Sequence, residues 1–108
     1  MRSYSPLTTE APKLAILLVF TSASPAQRVE VDRLLEKIKL VISPAVQIIR
    51  VSEAAHPEVV RSFEIRSLPT LILLKRGQEL WRYSGAIDNP ELLHQLGNQM
   101  EQPSLKIG

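Results

Sequence analysis

The segment Arg66-Ser67-Leu68-Pro69-Thr70, followed by the apolar run Leu71-Ile72-Leu73-Leu74, decides which fold this chain can adopt. The apolar run is typical of a buried β-strand, and a proline directly before it cannot donate a hydrogen bond to a neighbouring strand. Such a proline indicates a sharp backbone feature at the end of a sheet, and a cis peptide bond at Pro69 is a candidate for it. The functional question is whether a reactive group faces Pro69.

A strand, a helix and a second strand are predicted before this segment. Leu14–Phe20 is continuously apolar, as expected of a strand covered on both faces of the sheet. From about Ala26 a helix follows, and Ser43-Pro44 ends it. Its inward residues recur at helical spacing and are Val31, Leu34, Leu35 and Ile38. Val46–Val51 is short and β-branched, so the three elements form a right-handed parallel βαβ unit.

The remaining elements are two helices and a hairpin. His56-Pro57 opens a short helix, and Asn89 caps a last helix that has Pro90 at its first position. Between them Lys75–Gln78 is read as a hairpin turn, after which Glu79–Ser84 returns antiparallel. The inward residues predicted for these two helices are Val59, Val60, Phe63, Leu92, Leu93, Leu96 and Met100. On the returning strand, Trp81 and Tyr83 either pack under the last helix or form an exposed pair for a partner.

The order β-α-β-α-β-β-α predicts an α/β domain with a mixed four- or five-stranded sheet and helices on both faces. A length of 108 residues fits a single domain spanning 1–108. Residues 1–13 are expected to be an irregular lead-in with a short edge strand near Ser3–Leu7, and 102–108 a flexible tail.

Composition excludes several classes of function. The net charge is only +2 and five residues are aromatic, so no nucleic-acid-binding face is indicated. The absence of cysteine excludes thiolate catalysis, disulfides, cysteine-based zinc sites and iron–sulfur clusters. His56 and His94 have no second ligand at helical spacing, and no glycine-rich phosphate loop occurs, so neither a metal nor a cofactor is expected.

The chain is expected in the cytoplasm and not in a membrane. No apolar run approaches the roughly 20 residues of a membrane-spanning helix. A weak secretory pattern does occur, with Arg2 and Lys13 before Leu14–Phe20 and small residues after it. Because Glu10 precedes a short apolar run, a secreted or periplasmic location is the second choice.

This pattern resembles the thioredoxin family over most of the chain, from about Leu14 to Met100. Ile65–Leu71 resembles the segment that ends in the family's cis-proline loop, and Lys75-Arg76-Gly77 resembles its hairpin. Gly85-Ala86 resembles the glycine–alanine pair before its last helix, and His56-Pro57 stands where Asn-Pro is common. The resemblance implies a thioredoxin-like fold with a cis-proline loop.

The redox motif of the family is missing. In the ungapped register Ser24–Arg28 replaces Trp-Cys-Gly-Pro-Cys, so that Pro25 and Arg28 stand at the two cysteine positions. Val19 stands where many members have a buried acid, and Arg50 where they have a lysine. Disulfide exchange requires a thiolate that attacks sulfur, so this chain cannot reduce disulfides by that mechanism.

A second register would make Ala23-Ser24-Pro25-Ala26 a Cys-x-Pro-Cys motif with both cysteines replaced by alanine. It requires a two-residue deletion before the helix and places Glu30 and Asp32 on inward positions. The ungapped register keeps Val31 inward and is favoured.

The resemblance also implies where a partner would bind. In the family, polypeptides lie in a groove and make strand-like backbone bonds. The corresponding groove residues here are Ser24, Pro25, Ala26, Gln27, Arg28, Leu68, Pro69, Gly85 and Ala86. The first hypothesis is a redox-inactive domain that binds polypeptides as an adaptor or chaperone-like module. The alternatives are a disulfide oxidoreductase, by homology or with its cysteines replaced, and a structural part of an oligomer.

The apolar strand Val46–Val51 is expected at an edge of the sheet. Ordinary family members cover this edge with a further strand, for which the lead-in here is short. Because an uncovered edge of this kind pairs readily, it is expected to be covered by residues 3–7 or by a second copy in a homodimer.

Overall fold

The computed structural model describes residues 15–42 and 45–100, without the side chain of the last of these. The elements follow the predicted order and are β1 (Ala15–Thr21), α1 (Pro25–Val41), β2 (Val46–Ser52), α2 (Pro57–Ser62), β3 (Thr70–Lys75), β4 (Gln78–Ser84) and α3 (Pro90–Met100). The expected lead-in, the edge strand near Ser3–Leu7 and the tail lie outside the described residues.

The described strands form one mixed sheet of four strands in the order β2-β1-β3-β4. β1 pairs parallel to β2 and antiparallel to β3, and β3 pairs antiparallel to β4. β1 and β3 are the two inner strands, which explains why their sequences are apolar on both faces. The prediction of a mixed α/β sheet is confirmed.

Helices cover both faces of this sheet. On one face α1 and α3 enclose a first core, which contains every inward residue predicted for α1, together with Leu17 and Leu73. On the other face α2 packs Val60 against a smaller cluster around Phe20 and Ile72. Alternate residues of β1 therefore serve different cores, because successive side chains of a strand point to opposite faces.

The two aromatic residues of β4 belong to the first core. Trp81 and Tyr83 are half-buried and stacked, with ring centroids 6.2 Å apart. The Trp81 Nε1–H donates to Gln95 Oε1 on α3 at 3.1 Å. Of the two alternatives for this pair, packing under the last helix is therefore confirmed.

The hairpin differs from its prediction in two details. Its turn consists of Arg76 and Gly77 alone, with φ of 54° and 81°, so β4 already begins at Gln78. Two positive φ values are what a two-residue turn needs to match the twist of the strands. A β-bulge follows, because Leu73 pairs with Trp81 and Leu74 with Glu79, which leaves Leu80 unpaired. The first helical residue of α1 is Pro25, one earlier than expected.

Candidate functional site

The start of α1 is held by hydrogen bonds within its own loop. Ser24 is the N-cap, and its Oγ accepts from the Gln27 backbone N–H at 3.3 Å. Gln27 Oε1 accepts from the Ser22 N–H at 2.7 Å, and Ser22 Oγ accepts from the Ser24 N–H at 3.2 Å. Pro25 is the first helical residue, where its missing N–H has no intrahelical acceptor to serve. Ser24 thus caps the helix, Ser22 stabilises the loop before it, and neither serine has a described histidine as a hydrogen-bond partner.

Residues 66–69, which precede β3 and are called the proline loop below, are anchored to the ends of β3 and β4. The Leu68–Pro69 peptide bond is cis, and Pro69 is buried. Thr70 is fully buried, and its Oγ1–H donates to the Ser67 carbonyl at 2.7 Å. A hydroxyl has one proton, so Thr70 Oγ1 is the acceptor in its 2.7 Å contact with the Ser84 hydroxyl. One buried hydroxyl thus joins the loop to the last residue of β4.

The backbone of Leu68 is free for a ligand. Neither its N–H nor its C=O makes a hydrogen bond with any residue that the structure describes. Its half-buried side chain packs against the core under α2, which holds the residue in place. An unbonded donor and acceptor on a positioned segment are what an added β-strand would use.

Gly85 and Ala86 form the third segment of the predicted site, and both are exposed. Gly85 has a φ of 127°, which side chains rarely permit, and its N–H donates to the Pro69 carbonyl at 3.5 Å. The Ala86 carbonyl accepts from the Tyr83 hydroxyl at 2.7 Å. This segment is therefore tied to the proline loop on one side and to the first core on the other.

The sheet register brings these three segments to one end of the sheet. Thr70 pairs with Phe20 of β1 on one side and with Ser84 of β4 on the other. The predicted residues of the α1 start follow β1, the proline loop precedes β3, and Gly85-Ala86 follows β4. That polypeptides bind there stays a prediction.

On the face of the sheet that α2 covers, Arg82 and Glu79 form a clamp on the chain that leads from α2 to the proline loop. Arg82 donates through Nε and Nη2 to the Glu79 carboxylate, each at 2.9 Å, and through Nη2 to the Phe63 carbonyl at 3.0 Å. The hydrogen bond from Arg82 lowers the pKa of Glu79, against a smaller opposing effect of burial. It also raises the pKa of Arg82. The clamp joins β4 to the end of α2.

A polar depression adjoins the start of α1, and the sequence alone did not reveal it. Its volume is about 480 Å³. Its lining residues come from the end of β1, from α1 and from the end of β2, and they are Thr21, Ser22, Ala23, Arg28, Asp32, Arg50, Ser52 and Ala54. Arg50 donates through Nη1 to the Asp32 carboxylate. The spacing of Arg28 and Asp32 on one helix face was visible in the sequence, but Arg50 joins them only through the register of β2 with β1.

Neither a metal-binding cluster nor a membrane-spanning helix occurs within the described residues. Within residues 15–42 and 45–100 no group of three acidic, histidine or cysteine residues could hold a metal ion. No helix in the same ranges combines the length and apolarity needed to cross a membrane.

Comparison with known proteins gives the family. The profile of the Thioredoxin family matches residues 16–98. A thioredoxin-like protein of Synechocystis is 30% identical over 63 residues, which cover 58% of this chain and 60% of that protein. Thioredoxin C-3 of Corynebacterium nephridii is 35% identical over 60 residues, or 56% of this chain and 41% of that protein. The match thus spans about half the length of these relatives.

Solved structures show the same fold. The thioredoxin of Fasciola hepatica superposes with a TM-score of 0.66 and 20% identity, covering 82% of each chain. A designed protein superposes with a TM-score of 0.69 and 26% identity, covering 81% of each chain. With this sheet, these helices and a family profile that matches most of its length, the chain belongs to the thioredoxin family, as a member that lacks the Cys-x-x-Cys motif.

Proposed function

We propose that this chain is a redox-inactive thioredoxin-like domain that binds extended polypeptide segments, as an adaptor or a chaperone-like module. The observation that carries the proposal is the unbonded backbone of Leu68, at the same end of the sheet as a helix start that has no thiol. A site with hydrogen-bonding groups but no reacting group is suited to binding.

The chemistry opposite the proline loop supports binding rather than exchange. Breaking a disulfide requires a thiolate as the attacking group, and these 108 residues contain no cysteine. The side chains at the start of α1 that could react are the hydroxyls of Ser22 and Ser24, and both accept hydrogen bonds from backbone N–H groups. A serine without a general base is a weak nucleophile.

Binding is tested by selecting peptides from a random display library with the whole chain as bait. We expect enriched peptides whose affinity falls at least about tenfold for Leu68→Asp, since a carboxylate cannot pack against the core under α2 and the backbone that an added strand would use then loses its position. Leu80→Asp is the matched control, because Leu80 is 48% exposed and lies near the hairpin, at the other end of the sheet. Thermal unfolding of both variants shows whether the fold is kept.

Two outcomes would contradict the proposal. One is a library that yields no enriched peptide, and the other is an equal loss of affinity for the two variants. The backbone amide signal of Leu68 provides an independent readout, because an added strand that uses this N–H shifts its resonance and slows its hydrogen exchange.

The alternative function, disulfide reduction, is tested by insulin reduction in the presence of dithiothreitol. We expect the rate with this chain to equal the rate without protein. Turnover above that background would overturn the chemical argument, since it would require a reacting group other than a thiolate.

A further inference from the structure

We propose that the depression beside the start of α1 binds a carboxylate side chain, so that the bound polypeptides carry Asp or Glu where they pass this helix. This inference rests on the proposed polypeptide binding and adds the chemistry of the partner. The depression is the one of about 480 Å³ that is lined by Arg28, Asp32 and Arg50.

The charges of the depression favour an anion. Its lining has two guanidinium groups and one carboxylate, which leaves one positive charge in excess. The Asp32 carboxylate is engaged with Arg50 Nη1, whereas the Arg28 side chain has no hydrogen-bond or ionic partner among the described residues. An excess of one charge suits a single carboxylate.

The pair between Asp32 and Arg50 orients one of the two binding groups. Asp32 contacts a single nitrogen of Arg50, and a guanidinium has five N–H donors in a planar fork. The remaining N–H groups of Arg50, with those of Arg28, can donate hydrogen bonds to the two oxygens of a carboxylate. Ser22 and Ser52 add small polar residues to the same lining.

The attraction is assigned to these side chains, because two N–H groups at the end of the helix are occupied. The backbone N–H groups of Gln27 and Arg28 are already bonded to Ser24, to its Oγ and its carbonyl respectively. Replacing the arginines should therefore remove the preference even though α1 keeps its cap.

The depression is continuous with the predicted peptide site. Arg28 belongs to both, and Ser22 and Ala23 directly precede the cap of α1. A chain that pairs with Leu68 and crosses the start of α1 can direct one side chain into the depression. The ligand is thus an acidic residue within the polypeptide.

The experiment repeats the library selection with wild type, Arg28→Gln and Arg50→Gln as baits. Peptides enriched by wild type are then made with both ends blocked, each with its acidic residue and with the matching amide. We expect the acidic form to bind wild type about three- to tenfold more tightly, a modest ratio because the site is open to solvent. Arg28→Gln and Arg50→Gln should each bring this ratio close to one, because each removes one of the two guanidinium groups that line the depression.

Lys75→Gln is the matched control for overall charge. Lys75 is exposed and lies at the hairpin end of β3, opposite the proline loop, and its replacement also removes one positive charge. We expect it to keep the full ratio between acidic and amide peptides. A ratio that falls equally for Lys75→Gln and Arg28→Gln would assign the preference to net charge and overturn the site.

The remaining outcomes are equally decisive. Enriched peptides without an acidic preference would refute this inference and leave the proposed function intact. Enriched acidic peptides that bind with a free C-terminus and lose their binding when that end is blocked would overturn the assignment to a side chain. A selection that enriches no peptide would remove the proposed function, and this inference with it.

Discussion

The buried hydroxyl of Thr70 is the smallest change by which the anchoring of the proline loop can be tested. Thr70→Val keeps the shape of the side chain and removes its hydrogen bonds to Ser67 and Ser84. Thr70 is fully buried, so no water can occupy the position of its hydroxyl without rearrangement. Val therefore isolates the contribution of the two bonds.

The magnitude follows from what each partner loses. Ser84 is exposed and can bond to water instead, so its loss contributes little. The bond to the Ser67 carbonyl contributes about 1 kcal/mol, and an incompletely hydrated carbonyl adds a part of the 1–3 kcal/mol cost of an unsatisfied group. The additional methyl group offsets some of this. We expect Thr70→Val to lower the free energy of unfolding by about 1–2 kcal/mol and the Tm by about 5–10 °C.

Urea unfolding followed by the fluorescence of Trp81, the one tryptophan of the chain, measures this difference. Thr21→Val is the matched control, because Thr21 is also buried, at the end of β1, and its hydroxyl has no hydrogen-bond partner among the described residues. We expect that variant to stay within about 0.5 kcal/mol of wild type. Equal losses for the two variants, or no loss for Thr70→Val, would refute the anchoring role.

Three further predictions concern other parts of the molecule. Ser24→Ala removes the cap that accepts from Gln27 and should lower the free energy of unfolding by about 1 kcal/mol in urea titrations, whereas Ser24→Asp should retain it. Glu79→Gln should cost about 0.5 kcal/mol at neutral pH, since the pair with Arg82 is partly exposed. Because the folded-state pKa of Glu79 lies below the ordinary 4.5, that difference should be complete well above pH 4.5 and be lost as the pH falls from there through the lowered folded-state pKa; a difference that persists below that pKa would contradict the ion pair. On the prediction that residues 3–7 or a second copy pair with the outer edge of Val46–Ser52, we expect the amides of that edge to exchange slowly with solvent, and light scattering distinguishes the two cases; a monomer with fast-exchanging edge amides would contradict both.

Local patterns in the sequence were sufficient to predict the order of elements and the first core. The inward positions of α1 repeat at 3.6-residue spacing, and the structure buries all four of them. The continuous apolar runs of β1 and β3 identified strands covered on both faces, since few polar residues interrupt them. These features depend on neighbours within one element, which a sequence displays directly.

Features that depend on register between elements could not be predicted in the same way. The bulge at Leu80 shifts the pairing of β4, so that the side chains of Glu79 and Arg82, three residues apart on the same strand, form a hydrogen bond. Arg50 reaches Asp32 because β2 lies beside β1 in one particular register. The position of Trp81 under α3 depends on Gln95, to which it donates a hydrogen bond from 14 residues away in sequence. In each case the partner is distant in sequence, and no short-range pattern specifies it.

Because the chain has no cysteine, the sequence at the start of α1 is not constrained by a thiol reaction. At the positions that resemble the cysteine pair, an oxidoreductase must keep two sulfur atoms whatever their effect on the helix. Here Pro25 occupies the first helical position, where its fixed φ reduces the conformational freedom of the unfolded chain. Selection for stability can therefore act on Pro25 without the loss of a thiol. Without a thiol to preserve, this segment is constrained by the Ser24 cap and by any ligand of the domain.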